Sequence, residues 1–230
     1  MPNWCDNQIT ITGDKSVIDK IEKIVKEEKD GNGLLNFMKP MPKELDGTTS
    51  PSSSADKPQP MVEGFDNWYD WRVENWGTKW EVNEFYGVDR QGDTISFGFS
   101  SAWSPPINAY QSFLINMSKQ KQDVSIKAYY YEGGCDFMGC WDNGDDECLA
   151  PSDYKSTDDF WNDGIGYELD EMFNITESMA EYEAEEEANK PKTDEPAEVI
   201  EQVKPKRKYI KKNSTGSRLA IIIFKSQRIC

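Results

Sequence analysis

Apolar residues recur along this chain with two periods. Asn7 to Thr12 alternates, with Ile9 and Ile11 on one face and Thr10 and Thr12 on the other, which predicts a strand closed by Gly13-Asp14 as turn and helix N-cap. From Lys15 to Asp30, Val17, Ile18, Ile21, Ile24 and Val25 return at helical spacing among lysines and glutamates, and Gly31-Asn32-Gly33 stops the pattern. Thr94 to Ser100 alternates again, Ile95, Phe97 and Phe99 against Thr94, Ser96, Gly98 and Ser100. Pro105-Pro106 opens a helix in which Ile107, Tyr110, Phe113, Leu114 and Met117 share a face and which ends near Gln122; proline costs nothing in a first turn, where its missing N–H has no partner anyway. Val124 to Tyr131 places Val124, Ile126, Ala128 and Tyr130 inward, and Gly133-Gly134 turns the chain into Cys135 to Trp141 as a hairpin partner.

Between the first helix and the second strand the periodicity lapses. Leu34 to Leu45 reads as a packed loop, because Pro40 and Pro42 forbid a helix interior and a central strand. Thr48 to Pro60 is rich in Ser, Thr and Pro, the composition of a surface excursion, and is expected to be the most mobile internal loop. Trp68 to Trp80 follows, carrying four of the eight tryptophans and ending in Asn75-Trp76-Gly77-Thr78-Lys79-Trp80; it is predicted as a short helix and turn. Indoles combine a large apolar body with one N–H, so such clustering marks either a core or a recognition surface. The order strand, helix, aromatic insertion (34–93), strand, helix, strand, strand is close to the split βαβ arrangement. It predicts an α+β, ferredoxin-like domain over 1–145, a mostly antiparallel sheet with two helices on one face.

Charge separates the remainder. Residues 142–189 hold 17 acidic residues and 1 basic one, whereas 190–230 hold 11 basic and 4 acidic, within a formal net charge of -16 for all 230 residues. We expect an acidic, partly helical segment at 146–189 with Phe160, Trp161, Leu169, Met172 and Phe173 as a docking stripe, and a disordered basic tail at 190–230. The acidic balance disfavours unspecific contact of the main domain with phosphate backbones. Five irregularly spaced cysteines and a polar opening from Asn3 to Gln8 point to a reducing cytoplasm. The run Leu219 to Phe224 is far short of the roughly 20 residues that span a bilayer.

Met1-Pro2-Asn3-Trp4-Cys5, Asn75-Trp76-Gly77-Thr78-Lys79-Trp80, Ser101-Ala102-Trp103-Ser104-Pro105-Pro106 and Tyr131-Glu132-Gly133-Gly134, in this order, resemble the YubB-type family of phage and plasmid accessory proteins over roughly residues 1–145. The resemblance implies a ferredoxin-like fold, a phage or mobile-element setting in a host cytoplasm, and no established activity or catalytic residues.

Several chemistries are narrowed by composition. Without histidine, Ser-His-Asp and Cys-His catalysis are excluded. Cys135, Cys140 and Cys148 lack zinc-knuckle spacing, Asp142, Asp145, Asp146 and Glu147 do not match a calcium loop, and no segment matches a phosphate loop, so no cofactor or metal is expected. Three readings stay open. Trp68, Trp71, Trp76, Trp80 and Trp103 with Arg72 and Lys79 form either a core and lid or a pocket for a planar anionic ligand or a host protein. Lys204, Lys206, Arg207, Lys208, Lys211 and Lys212 suit phosphate contact by the tail, or a return onto the acidic segment. Pro2, if Met1 is removed, offers a secondary amine for proton transfer.

Overall fold

The computed structural model describes residues 3–27 and 33–189. The tail lysines and arginine at 204–212, the apolar run 219–224 and Pro2 lie outside the described residues. Strand β1 (Trp4–Gly13) leads into helix α1 (Lys15–Lys26), a short α2 (Leu34–Met38) and α3 (Trp68–Trp76). Strands β2 (Tyr86–Gln91) and β3 (Thr94–Ala102), helix α4 (Ile107–Lys119) and strands β4 (Val124–Glu132), β5 (Phe137–Asp142) and β6 (Asp145–Leu149) follow, then helices α5 (Thr157–Trp161), α6 (Gly164–Phe173) and α7 (Ile175–Asn189). The six strands form one sheet in the order β2-β3-β1-β4-β5-β6, every neighbouring pair antiparallel.

The sheet is covered on both faces, not on one. On β4, Ile126, Ala128 and Tyr130 join Ile9, Ile11, Ile95, Phe97 and Phe99 in the main core beneath α1, α2, α3 and α4. The alternate residues Tyr129 and Tyr131, with Met138 of β5, pack instead against Phe160, Leu169 and Ile175 of the C-terminal helices. Period-two alternation sends neighbouring side chains to opposite faces, so one strand serves two cores. The compact unit that holds the sheet consequently extends past residue 145, to Ala184. The acidic segment expected to be partly helical holds three helices: Asn162 and Asp163 separate α5 from α6, and Asn174 in the left-handed conformation (φ 53°) separates α6 from α7. Of the expected docking stripe, Phe160 and Leu169 are buried, whereas Trp161 and Met172 are exposed.

The stretch expected as a loop begins with α2, since its five residues precede Pro40 and escape the proline restriction. A carboxylate placed 46 residues later holds its first turn: Glu81 Oε1 and Oε2 accept from the backbone N–H groups of Leu35 (2.7 Å) and Asn36 (2.8 Å). Burial pushes the Glu81 carboxyl above its ordinary pKa, and the backbone N–H groups of Leu35, Asn36 and Val82 counter that rise. Among the described residues no helix is long and apolar enough to cross a membrane.

Candidate functional site

The four short motifs, scattered over 130 residues, meet at one end of the sheet. The antiparallel register pairs Trp4 at the start of β1 with Ala102 at the end of β3. Just beyond, the Trp103 backbone N–H donates to the Asn3 carbonyl (3.0 Å). Gly77 ends α3 in the left-handed region (φ 86°), which glycine adopts without Cβ strain, and a Cβ there would stand 3.2 Å from the Pro105 carbonyl. Thr78 Oγ1 donates to the Ala102 carbonyl (2.8 Å), Ser104 Oγ to the Gly77 carbonyl, and Ser101 Oγ to the Ser104 carbonyl (2.8 Å). Buried Asn7 donates to Ser101 Oγ (2.9 Å) and the Cys5 carbonyl (2.8 Å). At the β4–β5 turn the Glu132 carboxylate accepts from the N–H groups of Gly134 and Cys135, and Asn3 Nδ2 donates to Cys135 Sγ (3.6 Å). Several of these bonds, those to the Asn3, Gly77 and Ser104 carbonyls and from the Gly134 and Cys135 N–H groups, satisfy backbone groups that lie outside the strands, where no ladder pairs them.

The seven aromatic and cationic candidates separate into two sets. Trp71 (0 % exposed) and Trp76 (1 %) belong to the core, edge to face with centroids 5.8 Å apart. Their indole N–H groups are used internally, Trp71 to Glu63 Oε2 (3.1 Å) and Trp76 to the Lys39 carbonyl (2.8 Å). Arg72 lies between the rings of Trp68 (5.1 Å) and Trp76 (4.7 Å) as a structural cation–π stack. Burial lowers its guanidinium pKa, against the opposing pull of Glu81 and Asp46.

Lys79, Trp80 and Trp103 form the second set, and the structure adds Tyr69 and Trp4. Lys79 Nζ sits 4.8 Å from the Trp80 ring, 5.2 Å from Trp103 and 5.6 Å from Tyr69. Trp4 packs on Trp80 with centroids 5.9 Å apart at 44° and remains 52 % exposed; Trp103 is 38 % exposed. Trp103 also has φ 66°, a conformation that costs a bulky L-residue about 1–2 kcal/mol and persists only where its surroundings hold it. Here the bond to Asn3 and the following Pro105-Pro106 hold it. Lys79 has no carboxylate within 4.0 Å among the described residues. The resulting ledge offers aromatic faces, a cation for an anionic group, and no acid–base pair.

Trp4 belongs to the N-terminal motif but lies outside the seven aromatic and cationic candidates, although the sequence carries a signal for it. Continuing the β1 alternation backwards places it on the face of Thr10 and Thr12, away from the main core that Ile9 and Ile11 enter. The cysteines and acidic turn take other roles. Cys5 is buried, which pushes its thiol far up, and burial pushes Cys140 up to about 11, so both are poor nucleophiles at neutral pH. Asp142 and Asp145 pair across the β5–β6 hairpin, and Asp146 accepts from the Tyr130 hydroxyl (2.8 Å).

No family model and no curated protein matches the chain. Among solved structures it is similar to the crystal structure of the protein api92 from Yersinia pseudotuberculosis, assigned to DUF1281, with 11 % identity and a TM-score of 0.39. That similarity covers 65 % of this chain and 98 % of api92.

Proposed function

We propose that the protein is a non-enzymatic binding module whose ledge of Trp4, Lys79, Trp80 and Trp103 takes a small planar anion of the nucleotide type. One observation carries this reading: an ammonium group enclosed by three aromatic rings has no carboxylate partner among the described residues, beside two exposed indoles. A planar ring stacks on an exposed indole while its anionic group pairs with Lys79, joining apolar contact to charge. An acidic surface elsewhere narrows attraction of anions to this end of the sheet.

The same reading places the chain with the YubB-type phage accessory proteins, acting in a host cytoplasm, where a host protein with an exposed acidic and aromatic segment is the other candidate occupant. What supports the ferredoxin-like part is the order β1-α1-β2-β3-α4-β4 with those strands arranged β2-β3-β1-β4; β5 and β6 extend that unit at one edge.

Isothermal titration of the full chain with a panel of nucleoside monophosphates tests the proposal. Binding that weakens at least about tenfold in both Lys79→Gln and Trp103→Ala, a change of about 1.4 kcal/mol, supports it. Equal affinity in both variants places the binding elsewhere.

A further inference from the structure

The opposite end of α4 carries a second feature. A cleft of about 230 Å³ opens between α1, α2 and the C-terminal half of α4. Its floor is apolar: Phe37 and Phe113 pack at 5.5 Å between centroids, and Met38 and Met117 flank them. Its rim is polar, lined by Lys20 on α1, Asn116 on α4, and Gln120 and Gln122 just past the end of α4. None of these residues belongs to the tryptophan ledge, and α4 separates the two places by roughly 15 Å at 1.5 Å per residue.

Size and lining together specify an occupant. An apolar cavity of about 150 Å³ accommodates benzene, so this cleft holds one six-membered ring with a short chain. Methionine side chains adapt to a ring edge at small cost. Lys20 is exposed and has no carboxylate within 4.0 Å among the described residues. At the end of α4 the carbonyls of Asn116, Met117 and Ser118 already accept from the N–H groups of Gln120, Lys121 and Gln122, which lessens but does not remove the negative potential of that helix end, so Lys20 must supply the charge that draws an anion.

We propose that the cleft between α1, α2 and α4 binds a small aromatic carboxylate, its ring between the Phe37–Phe113 pair and the two methionines and its carboxylate at Lys20 and the carboxamide N–H groups. The site goes beyond the ledge reading and stands or falls without it. Saturation-transfer NMR of the full-length protein with 3-phenylpropanoate is the test. Expected are saturation of the ring protons, intermolecular NOEs from the ring to the methyl groups of Met38 and Met117, and affinity reduced about three- to tenfold by Lys20→Gln. Asn116→Trp, at the half-buried rim, fills the mouth and should abolish the transfer without lowering the thermal midpoint. No transfer to the folded wild-type chain at about 5 mM ligand, a concentration that detects even millimolar affinity, overturns the proposal. So do NOEs from the ring to residues outside the cleft.

Discussion

The ammonium of Lys79 lies 5.2 Å from the ring centroid of Trp103, a residue whose own backbone sits in the left-handed region at φ 66°. The strained residue is therefore also the one that closes the cationic ledge. Replacing Trp103 by Ala and by Gly removes the same indole contacts, and the two variants differ in what the backbone conformation costs. Trp103→Gly should be more stable than Trp103→Ala by about 1 kcal/mol, read from urea midpoints at equal slope. An alanine variant equal to or more stable than glycine contradicts the left-handed assignment.

Trp76 differs from Trp103 in kind. It is buried, packs edge to face on Trp71, stacks with Arg72 and bonds to the Lys39 carbonyl. Trp76→Ala should cost about 3–5 kcal/mol, with Arg72 left stacked on Trp68 alone and the Lys39 carbonyl without its indole donor, whereas Lys79→Gln should cost no more than about 1 kcal/mol. Chemical denaturation of the two variants side by side separates core from ledge.

How much of this was legible in the sequence follows from where each element buries its side chains. β1, β3 and β4 are sheet-interior strands with one face in the main core, so Ile9, Ile11, Ile95, Phe97, Ile126 and Ala128 print a period of two. β2 and β6 are edge strands, and Tyr86–Gln91 and Asp145–Leu149 keep no fully buried residue, so neither leaves that imprint. The second sheet face was hidden for another reason. Tyr129 and Tyr131 are amphipathic enough to read as solvent-facing, and only their contact with Phe160 and Leu169 reveals a covered surface. The tryptophan count marked the right region but not the division within it. Burial of Trp71 and Trp76 depends on which side of α3 meets the core, a tertiary fact, and Trp4 joins Trp80, not that buried pair, from a strand 76 residues away in sequence.

Tyr110 is wholly buried against Trp141, at 5.5 Å between centroids, and its hydroxyl has no hydrogen-bond partner among the described residues. Burial accordingly raises its pKa well above the ordinary phenol value. An unpaired buried hydroxyl destabilises the folded state, so Tyr110→Phe should leave stability unchanged or raise it by up to about 1 kcal/mol. A loss of more than about 1 kcal/mol would show that the hydroxyl is bonded.

Stability should fall on the acid side in a way that Arg90 controls. Lys15 and Arg90 hold Asp19 below its ordinary pKa of 3.8, and Lys26 and Arg90 hold Glu22 below 4.5. A carboxylate with a depressed folded-state pKa contributes stability above its unfolded-state pKa and loses it as pH falls through the depressed value. The contribution is thus complete near neutrality and declines below about pH 4.5. Arg90→Ala should flatten that part of the stability profile and leave its slope above pH 6 unchanged. Added salt should weaken the same effect, because Asp19 is exposed and Arg90 and Glu22 are only partly shielded from solvent.

The most direct test of the ledge is the indole N–H region of an NMR spectrum of the ¹⁵N-labelled full chain, titrated with a nucleoside monophosphate. Trp71 and Trp76, with N–H groups bonded inside the fold, serve as internal references. The account predicts saturable shifts of Trp4, Trp80 and Trp103 with Trp71 and Trp76 unmoved, and loss of those shifts in Lys79→Gln. Shifts confined to other indoles, or ledge shifts that persist without the Lys79 charge, would contradict it.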